Sequence, residues 1–187
     1  MKSLINDILN YESWNEKEAV EKELILDFIK KNPDCLTRDN KTAHLTVSSW
    51  VVNPQRTKVL MAYHKIYDSW AWLGGHADGC ADLCAVAEKE AREEAGLEHV
   101  RLVSRDILSL EILTVSGHVK KGVWVPSHLH LNLTYLLEAE EDAALAVNEE
   151  ENTGVAWFEF DDALAASKEP WFVEHIYSKL IKKLKEM

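Results

Sequence analysis

The chain has 187 residues, with 21 Lys and Arg against 32 Asp and Glu and a net charge of −11. Hydrophobic residues reach 47% and charged residues 28%, while Gly (7) and Pro (4) are scarce, which excludes a disordered, fibrous or linker-like chain. The acidic balance repels duplex nucleic acid and anionic membranes, so neither is an expected partner.

The opening MKSLINDILN has no apolar signal core, and no apolar run approaches the length of a membrane span. Three cysteines, Cys35, Cys80 and Cys84, are odd in number and too few for a disulfide framework, so a reducing, cytoplasmic setting is expected. Asn15 followed by Glu18 reads as a capping box, opening a helix with an apolar face of Val20, Leu24, Ile25, Phe28 and Ile29. Asn32-Pro33 stops it. Strand-like runs then span 43–52 and 58–65, joined by Asn53-Pro54. The Gly-containing loop WLGGHADG leads into a helix from about Asp82 to Ala95, closed by Gly96. Further strands are expected around 98–104, 107–116, 128–138 and 154–160, and a last helix from Pro170 carries Val173, Ile176, Tyr177, Leu180 and Leu184. Strands interrupted by one helix and closed by another predict an α/β sandwich with a mixed sheet.

The helix after the glycine loop carries the chemistry. At about 100° per residue, Leu83, Val86 and Ala87 project within roughly 60° of Glu90, and so do Glu93 and Glu94. Lys89, Arg92 and Glu88 lie on other sides. A Glu-rich helix is ordinarily just solvated, but carboxylates that continue an apolar seam crowd one another as they leave water. Joint ionisation then requires a cation between them, and Mg²⁺ prefers such oxygen ligands.

GGHADGCADLCAVAEKEAREEAGL resembles the Nudix box, G-x(5)-E-x(7)-R-E-U-x-E-E-x-G-U with U apolar. Gly75 takes the first place, Glu90 the Glu of the R-E pair, Ala91 the U, Glu93 and Glu94 the E-E, and Gly96 and Leu97 the end. The GGHADG loop and the HLHLN strand resemble one group within that family. The resemblance covers about 43–187. It implies a Nudix-type α/β/α sandwich over 43–187, with residues 1–42 as a helical extension packed on the domain. The implied activity is hydrolysis of a phosphoanhydride in a nucleoside diphosphate linked to another moiety, with Mg²⁺ or Mn²⁺. By position, Glu90, Glu93 and Glu94 hold or assist the metal, and the Gly75 carbonyl adds a ligand. Lys89 stands where the family has Arg, and Ala81 where it has Glu, so Asp78 or Asp82 is left as a candidate partner for Lys89. These two departures sustain an alternative, a Nudix-fold module that binds a nucleotide or metabolite with little or no turnover. The family also makes a homodimer a candidate assembly.

Other residues carry two readings each. In the strand at 128–138, His128, His130, Asn132 and Thr134 alternate with Leu129, Leu131, Leu133 and Tyr135. That is either a strand with one solvated face or a row placing His128 and His130 on the substrate. His76, with Cys80 and Cys84, could be read as zinc ligands lacking a fourth, and is otherwise a substrate contact in the loop. The run Glu149-Glu150-Glu151 is a solvated acidic loop or, by the resemblance, the source of one further catalytic Glu, for which Glu150 stands at the centre. Trp72, like Trp70 and Trp124, could stack on a base or simply pack.

Overall fold

The computed structural model describes residues 1–120 and 122–187. They form two compact units that interleave along the chain. The first comprises Met1–Ser48, Gly75–Val86 and Asp106–Tyr135; the second comprises Ser49–Gly74, Ala87–Arg105 and Leu136–Met187.

The elements are helices α1 (Lys2–Asn10) and α2 (Glu16–Lys31), strands β1 (Ala43–Val52), β2 (Lys58–His64), β3 (Ser69–Ala71) and β4 (Leu73–His76), and helix α3 (Leu83–Ala95). Then come β5 (Arg101–Leu102), β6 (Ser109–Val115), β7 (His118–Lys120), β8 (Val123–Val125), β9 (His128–Glu138) and β10 (Asn152–Glu159). Helices α4 (Phe160–Ala166), α5 (Pro170–Phe172) and α6 (Ser178–Glu186) follow, with a π-helical turn, Val173–Tyr177, between the last two. Eight strands form one sheet in the order β10-β2-β1-β9-β5, with β3 on β2, β4 on β1 and β6 on β9, while β7 and β8 pair separately. Leu129 N donates to Thr42 O at one end of β1 and β9, and Ala139 N to Val52 O at the other, so these two strands run parallel. The pairs β1–β2, β2–β3, β2–β10, β5–β9 and β6–β9 are antiparallel. The sheet is therefore mixed and the fold α/β, with helices at the N-terminus, as expected.

In the first unit, Asn15 caps α2 by accepting from Glu18 N (2.9 Å). The Glu18 side chain turns back, but to Trp14 N (2.7 Å) and to the Tyr11 hydroxyl (2.6 Å) rather than to the cap residue. Its other oxygen accepts from Ser109 Oγ of β6 at 3.0 Å, so α2 is fixed to the sheet through a fully buried carboxylate. The buried face differs from expectation: Glu18, Ile25, Leu26 and Ile29 are buried, whereas Val20 and Leu24 are 56% and 55% exposed. A face counted on apolar residues alone misses a stripe that starts from a buried Glu.

β1 is buried along its whole length, and in β9 residues 131–137 are buried on both sides. The solvated-face reading of β9 is therefore corrected. Asn132 accepts from Thr46 Oγ1 (3.0 Å) and Ser48 Oγ (3.1 Å) and donates to Thr134 Oγ1 (3.3 Å), so the polar row is a satisfied buried seam.

In the second unit, α3 ends on Gly96 at φ +65°, a left-handed value that suits glycine. A Cβ there would stand 2.5 Å from Ala146 Cβ, and Ala146 N caps the helix by donating to Ala95 O (2.9 Å). β10 continues directly into α4, a seven-residue helix too short to show a helical period of its own.

Candidate active site

The burial of α3 explains which of its carboxylates leave water. Measured from Glu90 at about 100° per residue, the buried positions run from Val86 at roughly −40° through Leu83, Ala87, Ala91 and Cys84 to Ala95 at roughly +140°. Glu94, at about +40°, sits at the middle of that arc and is 5% exposed. Glu90 lies inside the arc and its side chain is 18% exposed; Glu93, at about −60°, falls past the edge and is 55% exposed. The expectation that all three turn away from water thus holds for Glu94 and Glu90, and Glu93 stands at the rim.

Glu94 Oε2 accepts from Gly74 N of β4 (2.7 Å), tying the glycine strand to the helix. Burial pushes the Glu94 carboxyl up to about 8; the Gly74 amide opposes this, and the charges of Glu151 and Glu90 add to it. The side chain of Asn152, 1% exposed, is close enough to favour ionised Glu94 yet falls short of hydrogen-bond geometry. Neither of its amide atoms has a hydrogen-bond partner among the described residues. Burial also raises Glu90, against the pull of Lys89, with Glu93 and Glu151 adding to the rise. Lys89 Nζ donates to Glu93 (2.9 Å) and Glu90 (3.0 Å), and these bonds hold the ammonium well above its ordinary value.

The partner expected for Lys89 is corrected here. Lys89 pairs with carboxylates of its own helix; Asp78 instead takes both prongs of Arg38 (2.8 and 2.5 Å), and Asp82 Oδ1 accepts from Ala85 N (3.3 Å) near the start of α3. The loop carboxylate whose charge reaches both Glu90 and Glu94 is Glu151, the neighbour of the Glu150 named from sequence. Half-buried Trp72 packs edge-on against Phe172 (6.1 Å between centroids) and Tyr177 (5.6 Å), which makes it part of an aromatic cluster.

The donor set fits a hard divalent cation. The charges of Glu90 and Glu151 act on Glu94, Glu90 and Glu93 share the Lys89 ammonium, and an unpartnered buried amide stands beside Glu94. A cation there would restore ionisation to Glu94 and relieve the repulsion that raises it.

In the first unit the structure gathers four imidazoles. His44, His76, His128 and His130 have ring centroids 4.9–5.1 Å apart in five pairings. Burial lowers His76 to about 3, with the charge of Arg38 adding to the effect, and burial lowers His130 to about 2 beside the other histidines. His44, also lowered by burial, was missed from sequence because β1 reads as an ordinary core strand. A signal did exist: His44, Thr46 and Ser48 form a polar row that matches His130, Asn132 and Thr134 of the parallel neighbour. The cysteines are not part of this group: Cys80 is exposed, with Sγ on Asp82 O (3.6 Å), and Cys84 is buried.

Residues 42–180 match the NUDIX domain family. No curated protein matches the chain in sequence. Among solved structures, the MutT protein from Methanosarcina mazei Go1 superposes with a TM-score of 0.56 at 14% identity, over 79% of this chain and 96% of its own. The E. coli dihydroneopterin triphosphate pyrophosphohydrolase gives 0.51 at 14% identity, over 74% and 95%. The C. elegans Ap4A hydrolase gives 0.50 at 18%, over 76% and 96%. At such identities the likeness is one of fold.

Proposed function

The chain belongs to the NUDIX domain family, and from that premise we propose that it is a divalent-metal-dependent hydrolase of a phosphoanhydride in a nucleoside diphosphate linked to another moiety. Residues 43–187 would be the hydrolase domain, carrying residues 1–42 as a helical extension. The observation that supports the reading best is Glu94, a carboxyl raised to about 8 within a group of carboxylates that has too little positive charge of its own.

Glu90, Glu93 and Glu94 would hold Mg²⁺ or Mn²⁺. When bound, such an ion neutralises the charge that develops on the phosphate oxygens during attack by water. The chain's own residues prepare the place. Gly74 N orients one oxygen of Glu94, and Lys89 holds Glu90 and Glu93 in one arrangement without neutralising Glu94. Glu151 is the candidate base or additional ligand, because its charge already acts at both buried carboxylates. A protein with a net charge of −11 repels an anionic diphosphate unless a cation lies between them, so metal and substrate binding are linked.

The test is a release assay on a panel of nucleoside diphosphate derivatives and nucleoside triphosphates with Mg²⁺ or Mn²⁺. Hydrolysis of at least one compound, abolished by chelator and restored by metal, is the expected outcome. Binding of the same compounds without turnover would establish the non-catalytic alternative.

A further inference from the structure

The histidine group offers nitrogen donors and is not used by the proposed hydrolysis. His44 Nδ1 lies 3.1 Å from Asn40 O, and His128 Nδ1 lies 2.9 Å from Pro126 O. A carbonyl only accepts, so both Nδ1 atoms carry the proton and both Nε2 atoms are bare lone pairs. His44 is 4% exposed, and its Nε2 has no hydrogen-bond partner among the described residues. A buried acceptor left without a donor costs free energy, about 1–3 kcal/mol, and calls for an explanation. Four rings at this spacing cannot all be charged, since like charges in contact oppose one another. Burial favours the uncharged form of His44, His76 and His130, the form that binds transition metals.

We propose that His44, His76 and His130 form a three-histidine site for a zinc-type divalent metal ion. One ring nitrogen from each lies within 4.8 Å of the others, and the three residues come from β1, β4 and β9 of the same unit. Bonds of about 2.0–2.1 Å to a tetrahedral ion need each nitrogen to move inward by under about 1 Å, within the range of small side-chain rotations. Three imidazoles leave the fourth position open to water or a ligand. His128 Nε2 faces His130 Nε2 at 3.2 Å, so His128 accepts the proton of that nitrogen and leaves the other ring nitrogen of His130 bare. His128 is thus a positioning residue, and the Nδ1–H to carbonyl bond of His44 is the outer contact by which proteins orient a ligating ring. His76 and His130, which the sequence suggested as substrate contacts, become ligands in this site, and His128 positions one of them. Imidazole nitrogens select zinc-like ions where the carboxylates of α3 select hard ones, so the two sites are separable by metal. This inference does not depend on the hydrolase reading.

The experiment uses the untagged full chain, loaded with Zn²⁺, desalted and assayed for metal content, with Co²⁺ as the spectroscopic probe. Wild type should retain about one equivalent of Zn²⁺ and give the visible bands of a low-coordinate Co²⁺ complex with nitrogen ligands. His76→Ala, at the more accessible ligand, should abolish both, as should His44→Gln, with circular dichroism confirming that each variant folds. His128→Ala should keep the site but weaken it by about 10–100-fold. Glu94→Gln should retain full Zn²⁺ while losing any Mg²⁺ response, which separates this site from the carboxylates. Failure of the wild type to retain Zn²⁺, or retention undiminished in folded His76→Ala, would overturn the proposal.

Discussion

Glu94 is buried against the Gly74 amide and surrounded by other carboxylates, so its protonation is coupled to folding. Its ordinary value of 4.5 rises to about 8 in the folded chain, chiefly through burial. A raised carboxyl favours the folded state below the unfolded value and loses that contribution as pH climbs to the folded one. In chelator, wild-type stability should therefore fall between about pH 4.5 and 8, with Glu94 contributing at most about 1.4 kcal/mol per pH unit. Glu94→Gln removes the titrating group, so its denaturant midpoints over the same window should be flatter. Equal slopes in the two proteins would mean that Glu94 is already ionised without metal. The sequence showed this residue and its spacing but not its unequal status. That Glu94 is buried while Glu93 is exposed depends on where the buried arc of α3 is centred, and Cys84, Ala91 and Ala95 move that centre away from Glu93.

At the scale of elements, the legible parts were those with a long regular pattern. β1 and β9 match their expected bounds, and α3 begins within a residue of expectation and ends on the glycine that the sequence marks. β4 lies in the expected glycine loop and β3 just before it, since three and four residues around Trp72 and Gly74-Gly75 carry no period; their strand character comes from pairing with β2 and β1. The strand expected at 98–104 is only Arg101–Leu102, and β7 and β8 were not anticipated. The start of α2 was fully legible, since a cap is a local interaction. Asn15→Ala should cost about 1 kcal/mol of stability, read as a lower midpoint of denaturation with an unchanged slope. An unchanged midpoint would show that the Glu18 contacts to Trp14, Tyr11 and Ser109 hold the helix start alone.

For the whole molecule, an excess of acid at the candidate site predicts a thermodynamic response to metal. At a Mg²⁺ concentration one hundred times its dissociation constant, linkage stabilises the folded chain by about 2.7 kcal/mol, seen as a rise in melting temperature. Glu94→Gln should lose most of that rise, and a wild-type transition indifferent to millimolar Mg²⁺ would argue against a metal site. No helix among the described residues is long and apolar enough to cross a membrane, in keeping with the amphipathic pattern of the chain. The most direct test of the catalytic account is kcat/KM for the best substrate of the panel at saturating Mg²⁺, wild type against Glu94→Gln. Loss of one electrostatic partner of the transition state predicts a fall of roughly 10²–10³; activity within about a factor of two of wild type would contradict a role for Glu94, since that ratio is under about 0.5 kcal/mol of transition-state stabilisation.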